Sequence, residues 1–183
     1  RSTMDQEGVI PDSMKDTTQS AMEKAEKLFA GYNGAGDDRV RIWFAMRQVM
    51  SCSPELIRQT AARAKELGTG VHAHLCEHKD EVSFCLKNYQ KRPAAFLDEM
   101  GMVGENFLTA HNVVLSEGDI TLLVEKGVKI VHCPRANLSN HGFPKTPRIL
   151  ECGGSVGMGS DGACSSSLSL FDEMKVMRSG IIA

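Results

Sequence analysis

The chain has 183 residues and a formal net charge of −2, with 42% hydrophobic and 24% charged residues. These values are typical of a globular domain rather than of a disordered or fibrous chain, and the mixed charges argue against a nucleic-acid footprint or a membrane-surface patch. Because no apolar run reaches the roughly 18 residues of a membrane span, we expect neither nucleic-acid nor membrane partners.

The cysteines and the first residue of the chain indicate the compartment of the protein and the origin of the chain. The six cysteines show no C-x-x-C spacing and lie at Cys52, Cys76, Cys85, Cys133, Cys152 and Cys164. Several fall in apolar segments, where a reduced thiol behaves as a small hydrophobic group. We therefore expect no disulfide framework and a reducing, cytoplasmic compartment. The chain begins at Arg1 without a signal peptide, so we expect it to be a piece of a longer protein or a trimmed product.

Helical and strand signals alternate along the chain. In order, the sequence predicts a helix at 16–31, a strand at 40–46, a helix at 53–68, a strand at 70–75, a helical stretch at 79–100, a strand at 107–110, a helix at 116–127, a strand at 128–132, part of a helix at 147–151, a strand at 155–158 and a helix at 168–177. Ser53 and Pro54 begin the second helix and Gly68 ends it. Ser116 and Asp119 form a capping box.

Five strand–helix units of this spacing predict an α/β fold with parallel strands. An open doubly wound sheet and part of a (β/α)8 barrel both fit the spacing. The barrel fits better, because it places functional residues at many consecutive strand ends. A complete barrel has about eight units in about 250 residues. We therefore expect residues 1–183 to be one catalytic-barrel fragment of about five C-terminal units, without the N-terminal strands.

Four successive strand ends carry a histidine or an aspartate, namely His74, His111, His132 and Asp161. Because the carboxyl ends of parallel strands meet at one edge, these side chains should converge there. Imidazoles and carboxylates are the ligands of a water-activating divalent metal. The sequence therefore predicts a metal-dependent active site at this edge.

Each strand-end residue has its own expected task. His74 can ligate the metal, and Glu77, in the following turn, can move the proton of the activated water. His111 can ligate the metal or hydrogen-bond the water. His132 is expected to orient the substrate, and Asp161 to hold the metal or accept a proton.

Other polar residues near these strand ends are weaker candidates. Arg47 and Asn137 are expected to face the substrate, as are Gln48, Arg135 and His141. We expect His72, two residues before His74, to point to the other face of its strand and to have a structural role. We expect His78 to lie solvated at a helix start, and Cys133 to be followed by irregular chain because of Pro134.

The motifs together resemble the metal-dependent amidohydrolase superfamily, in its branch of chlorohydrolases and aminohydrolases. The matching segments are residues 1–5, 74–77, 110–111, 115–116, 119–120, 132–134, 137–138, 159–162 and 171–174. The resemblance implies a TIM-like barrel, flanked in the family by a β-sandwich that this chain lacks. It also implies one divalent ion, usually zinc and sometimes iron.

The same resemblance implies roles for individual residues. His74 and Asp161 would ligate the metal, Glu77 would shuttle the proton, His111 would lie at the water as ligand or hydrogen-bond partner, and His132 would contact the substrate. The implied reaction is hydrolytic deamination of a nitrogen heterocycle of purine, pyrimidine, pterin or triazine type. Dechlorination or cyclic-amide hydrolysis at the same site is the alternative within the family.

One motif of the family is missing. Its first H-x-H pair lies at the end of the first barrel strand, whereas His72 and His74 belong to a later strand followed by Glu77. Two of the usual ligands are therefore expected to be absent, and metal binding by the chain alone should be weak. A further possibility is a non-catalytic fragment that is stable only through association, and we expect a homo-oligomer because an open barrel exposes edge strands.

Overall fold

A computed structural model describes residues 3–6, 8–162 and 168–182, except for the side chain of Asn140. The strands are β1 Phe44–Ala45, β2 Val71–Leu75, β3 Phe107–His111, β4 Lys129–His132 and β5 Ser155–Met158. The helices are α1 Thr18–Tyr32, α2 Ala35–Asp38, α3 Pro54–Glu66, α4 Lys79–Tyr89, α5 Pro93–Glu99, α6 Glu117–Glu125, α7 Pro134–Asn140, α8 Thr146–Glu151 and α9 Leu170–Ile182. Short 3-10 turns lie at Asp12–Met14 and Val49–Ser51.

The five strands form one parallel sheet in the order β1-β2-β3-β4-β5. Each strand pairs with the next one along the chain, and the order never reverses. A doubly wound sheet has a reversal in its strand order, whereas a barrel adds strands in sequence. The topology therefore favours the barrel over the open sheet. Outside β1, Thr3 makes an isolated parallel bridge to Met46.

Local signals in the sequence account for most element boundaries. Ser53 accepts a hydrogen bond from the Leu56 N–H at the start of α3, and Gly68 follows this helix with a φ of 63°. The capping box of Ser116 and Asp119 is present at the start of α6. These three predictions are confirmed, because caps and left-handed glycines act within a few residues of the chain.

Three of the predicted elements differ clearly from the structure. The strand expected at 40–46 is reduced to Phe44–Ala45, which pairs only with Val71 and His72 of β2. The helical stretch at 79–100 is two helices, because Gln90 has a φ of 56° and Pro93 begins a new helix. The last helix extends to Ile182.

The chain after Cys133 is helical, and the expectation of irregular structure there is wrong. Pro134 occupies the first turn of α7, which runs to Asn140. Proline lacks an N–H donor, but the first turn of a helix leaves its N–H groups unpaired in any case. The same proline that would interrupt a strand therefore begins a helix.

Helices cover one face of the sheet and bury it. Val71, Ala73 and Leu75 of β2 belong to one apolar core with Leu56 of α3 and Leu123 of α6. The alternate positions of β2, His72 and His74, are only partly buried. The helix-covered face thus supplies the core, and the opposite face is left to the polar residues.

Two compositional predictions bear on the described residues. Cys52, Cys76, Cys85, Cys133 and Cys152 are free thiols, while Cys164 lies outside the described part of the chain. In the ranges that the structure describes, no helix is long and apolar enough to cross a membrane.

Candidate active site

The strand ends bring the predicted histidines together. In the register of the sheet, Leu75 of β2 lies beside His111 of β3, so His74 and His111 are near neighbours at the carboxyl edge. Their rings stack with centroids 5.0 Å apart and planes inclined by 13°. His132 ends β4 beside Met158 of β5. The predicted convergence of His74 and His111 is therefore present in the structure.

The backbone turns sharply where these strands end. Cys76, His111, Asn112 and Asp161 have φ values of 50°, 75°, 57° and 52°, in the left-handed region that side chains disfavour. Such conformations cost on the order of 1–3 kcal/mol each and persist only where surrounding contacts enforce them. Asn112 is held by Thr109, whose hydroxyl donates to its Oδ1 at 3.1 Å. These turns direct the chain out of the sheet at the candidate site.

His74 is oriented by the loop after β1. Its Nδ1 lies 2.6 Å from the carbonyl oxygen of Arg47, and the same oxygen accepts the His74 backbone N–H at 2.9 Å. A carbonyl can only accept, so Nδ1 carries the proton. Nε2 therefore retains its lone pair, which is the state that a metal-ligating histidine needs.

His111 is buried, and its two ring nitrogens have different neighbours. Nδ1 lies 2.9 Å from Nδ2 of Asn137, and Nε2 lies 3.9 Å from Oε1 of Glu77. Burial lowers the pKa of His111, and the neighbouring His74 acts in the same direction, whereas the charges of Glu77 and Asp161 oppose this shift. The influence of Asp161 on this pKa associates the fourth strand end with the same cluster.

Glu77 lies between two imidazoles. Its Oε1 is 3.9 Å from His111 Nε2 and 3.4 Å from Nε2 of His141, which follows α7. His78 lies at the start of α4, as expected. It is partly covered by His141, whose ring centroid lies 5.3 Å from its own. A carboxylate so placed is close to two imidazoles, and the nearer of them is that of His141.

Glu81 lies directly behind Glu77 and was missed by the sequence analysis. Its Oε2 accepts the backbone N–H of Glu77 at 3.2 Å, while its Oε1 has no hydrogen-bond partner among the described residues. Glu81 is fully buried, and burial raises its pKa to about 8. In the sequence, Glu81 belongs to a polar run that begins at Lys79 and is typical of a solvated helix start. Only its spacing of four residues from Glu77 indicates that the two residues could be in contact.

His132 is fully buried at the end of β4. Its Nδ1 is hydrogen-bonded to the hydroxyl of Thr146 at 2.7 Å, whereas its Nε2 has no hydrogen-bond partner in the part of the chain that is described. Burial, reinforced by His111, lowers the pKa of His132 to about 4. The ring is therefore neutral at pH 7, and its Nε2 has a hydrogen-bonding position that none of the described residues fills. Thr146, which begins α8, could not be found from sequence because it lies 14 residues from His132.

The remaining candidates are placed differently. The side chain of Arg47 is exposed, and its carbonyl holds His74. Asn137 is buried and faces His111. Asp161 follows β5 and is partly buried. The expectation for His72 is wrong, since its ring stacks on His74 at 6.3 Å. Residues two apart in a strand point to the same face, so the two histidines had to share it.

The donor chemistry can be compared with the needs of a metal ion. His74 offers an Nε2 lone pair, and Asp161 offers a carboxylate at a neighbouring part of the same edge. Both are common zinc donors. Among the described residues, no three or more histidine, cysteine, aspartate or glutamate side chains are grouped as a metal would require. The described residues thus supply two donors of types that zinc uses, fewer than the three or four protein ligands of a zinc site.

Sequential parallel strands with histidines and carboxylates at their carboxyl ends are the arrangement of a (β/α)8-barrel enzyme. The chain belongs to the amidohydrolase family, which it matches over residues 2–180. 5-Methylthioadenosine/S-adenosylhomocysteine deaminase 2 of Archaeoglobus fulgidus is 37% identical to this chain over 157 residues. The match covers 85% of this chain and 37% of that relative.

Two solved structures are similar over nearly the whole chain. Guanine deaminase of E. coli superposes with a TM-score of 0.90 at 26% identity, covering 100% of this chain and 43% of that one. A zinc-bound adenosine deaminase of Xanthomonas campestris superposes with a TM-score of 0.86 at 26% identity, covering 93% and 39% respectively. These likenesses confirm the predicted family and the partial barrel. The chain spans less than half the length of each of these three proteins.

Proposed function

We propose that the chain forms part of a metal-dependent hydrolase that removes the amino group of a nitrogen heterocycle as ammonia. The observation that carries this proposal is the Nδ1–H of His74 donating to the Arg47 carbonyl, which leaves Nε2 free to bind a metal beside His111 and Glu77. The deaminase names of the relatives support it. Because those relatives are named as deaminases of adenosine derivatives and guanine, we propose a purine-type amine as the substrate.

His74 and Asp161 are proposed to hold one divalent ion, with zinc preferred over iron because the adenosine deaminase structure contains zinc. Such an ion supplies Lewis acidity and makes water a stronger nucleophile at neutral pH. His111 is proposed to act at the same water. The two other ligands that the family uses would have to come from outside this chain.

The proton transfers are assigned to this chain's own side chains. Glu77 takes a proton from the attacking water and returns it to the leaving amino group, with Asp161 as a second acceptor near the water. Loss of the amino group as ammonia then leaves oxygen on the ring carbon. The imidazole nearer to Glu77 is that of His141, with Nε2 at 3.4 Å from Oε1, and it is proposed to exchange protons with Glu77.

Substrate binding is assigned to the residues around the cluster. His132 is proposed to hydrogen-bond the heterocycle through Nε2, whose lack of a partner among the described residues supports this role. The exposed side chain of Arg47 is proposed to contact the outer part of the substrate. Asn137 also belongs to the proposed set, although its amide contacts His111 and Cys133.

The compartment, the domain organisation and the oligomeric state are proposed from general features of the chain. The free, mostly buried thiols of the described residues support a reducing cytoplasmic compartment. One continuous sheet and one core support residues 1–183 as a single barrel unit. Exposed apolar side chains on α9, such as Phe171 and Ile182, support association into homo-oligomers.

Product analysis tests the proposed reaction. The zinc-loaded protein is incubated with adenosine, S-adenosylhomocysteine, guanine and a chlorotriazine, and ammonia and chloride are measured. For whatever turnover the chain supports, we expect ammonia from a purine amine rather than chloride. We expect this ammonia to be lost in Glu77→Gln and retained in Glu66→Gln, since Glu66 is exposed on α3. Chloride without ammonia would favour the dechlorinase, and no product from any substrate would favour a non-catalytic piece.

A further inference from the structure

The side-chain amide of Asn137 lies between a backbone N–H and the ring of His111. Its Oδ1 accepts the Cys133 N–H at 3.3 Å, and its Nδ2 lies 2.9 Å from His111 Nδ1. Both side chains are buried. A backbone N–H can only donate, so the amide oxygen must face Cys133 and the amide NH2 must face His111.

This orientation decides which ring nitrogen of His111 carries a proton. An amide NH2 can only donate, so Nδ1 of His111 must accept and cannot be protonated. The reverse orientation would set the Asn137 NH2 group against the Cys133 N–H, donor against donor, in place of the hydrogen bond at 3.3 Å. The ring proton therefore sits on Nε2, which is the nitrogen nearest Glu77.

The stacked rings of His74 and His111 consequently have opposite tautomers. His74 is protonated on Nδ1 by its contact with the Arg47 carbonyl, and His111 is protonated on Nε2. His74 can therefore offer a lone pair at Nε2, whereas His111 can offer a proton at Nε2. The Arg47 carbonyl, which accepts, and the Asn137 amide NH2, which donates, therefore give two neighbouring imidazoles different hydrogen-bonding properties.

Asn137 is itself held firmly enough to impose this choice. Its backbone N–H donates to the Cys133 carbonyl at 2.9 Å, and its carbonyl accepts the His141 N–H at 2.7 Å. The start of α7 is further fixed by Glu173, a buried residue of α9, whose Oε2 accepts the Arg135 N–H at 3.0 Å. Two helices therefore determine where the Asn137 amide lies.

We propose that Asn137 is a positioning residue that locks His111 as the neutral Nε2–H tautomer, so that His111 donates a hydrogen bond at the site instead of ligating metal through Nε2. The acceptor of that bond, the attacking water, rests on the proposed function, whereas the lock is a property of the fold. Asn137 then influences the substrate through His111.

Nitrogen NMR of the metal-free protein tests the lock directly. Long-range ¹H–¹⁵N correlation distinguishes protonated from unprotonated ring nitrogens, and the chain has six histidines to assign. The His111 signals are identified by their loss in His111→Gln. We expect Nδ1 of His111 to be unprotonated and Nε2 to be protonated, with the opposite pattern for His74.

Asn137→Asp is the variant that should reverse the lock. One carboxylate oxygen can still accept the Cys133 N–H, but the other can only accept from His111, so Nδ1 should become protonated. The ring of His132, which contacts Thr146, serves as an internal reference. Asn88→Asp, on the exposed surface of α4, adds the same charge elsewhere and should leave His111 unchanged.

A protonated Nδ1 of His111 in the unaltered protein would overturn the proposal, even if Asn137→Asp did not fold. An unprotonated Nδ1 in folded Asn137→Asp would also overturn it. Absence of ammonia release would instead contradict the proposed function and leave these spectra as they are, so the two failures can be told apart.

Discussion

The carbonyl oxygen of Arg47 accepts two hydrogen bonds from His74, one from the backbone N–H at 2.9 Å and one from ring Nδ1 at 2.6 Å. The loop after β1 therefore holds both the backbone and the ring of His74 near the end of β2. Because the acceptor is a backbone atom, the orientation of His74 does not depend on the side chain of residue 47.

Replacement of Arg47 by alanine should separate these two roles. We expect Arg47→Ala to keep zinc affinity within about threefold, because the carbonyl remains, and to weaken binding of a purine substrate analogue about tenfold, or ~1.4 kcal/mol. Calorimetric titration with each ligand measures both affinities. Arg58→Ala, on the exposed surface of α3, is the control and should change neither. Loss of zinc affinity in Arg47→Ala alone would contradict the backbone assignment.

Glu81 should make stability depend on pH. Burial raises its pKa from 4.5 to about 8, and the charges of Glu77 and Asp119 add to this shift. Between these two values the folded protein holds a proton that the unfolded chain has released. The contribution of Glu81 to stability is therefore full below pH 4.5 and is lost as the pH rises toward 8.

Urea unfolding across this pH range measures the effect. We expect Glu81→Gln to be more stable than the unaltered protein near pH 8, with a difference that shrinks toward pH 4.5, because the amide needs no proton to stay neutral. Glu66→Gln is a matched control on an exposed side chain and should show no such trend. An identical pH dependence in Glu81→Gln and the unaltered protein would mean that Glu81 is ionised in the fold.

Glycines in two environments should respond in opposite directions to alanine. A Cβ at Gly154 would lie 2.6 Å from Cγ2 of Ile149 and 2.9 Å from the Ile149 carbonyl oxygen, so the approach of α8 to β5 requires glycine. We expect Gly154→Ala to destabilise the fold by roughly 1–3 kcal/mol. A Cβ at Gly31, within α1, meets nothing within 4 Å.

Gly31→Ala should therefore stabilise the protein by about 0.5–1 kcal/mol, because alanine favours the helix over the unfolded chain. Chemical denaturation of the two variants side by side gives both changes in the free energy of unfolding. Equal effects of the two substitutions would show that α8 can shift away from β5 without cost.

The fold and the general position of the site could be predicted because they depend on local or periodic signals. Ser116 and Asp119 form their capping box within one turn, and His74 and His111 lie at the same edge because the carboxyl ends of parallel strands meet there. His72 lies on the same face as His74, contrary to the prediction, because positions two apart in a strand share a face.

The polar contacts behind the site could not be predicted, because they join distant segments. Asn137 lies 26 residues from His111, and Thr146 lies 14 residues from His132. Glu81 is close to Glu77 in sequence, but a glutamate in the first turn of a helix is normally solvated, and only the tertiary packing of α4 buries it. The sequence thus identifies the groups at the strand ends but not the protonation states that their neighbours impose.

Zinc binding by the purified chain tests the metal-dependent site most directly. Titration of the metal-free protein is compared with His74→Ala and with His78→Ala, a histidine at the start of α4 that we do not assign to the metal. We predict weak binding of one zinc ion by the unaltered protein and by His78→Ala, and at least about tenfold weaker binding still by His74→Ala, a loss of ~1.4 kcal/mol. Equal affinity in all three proteins would contradict the assignment of His74 as a metal ligand.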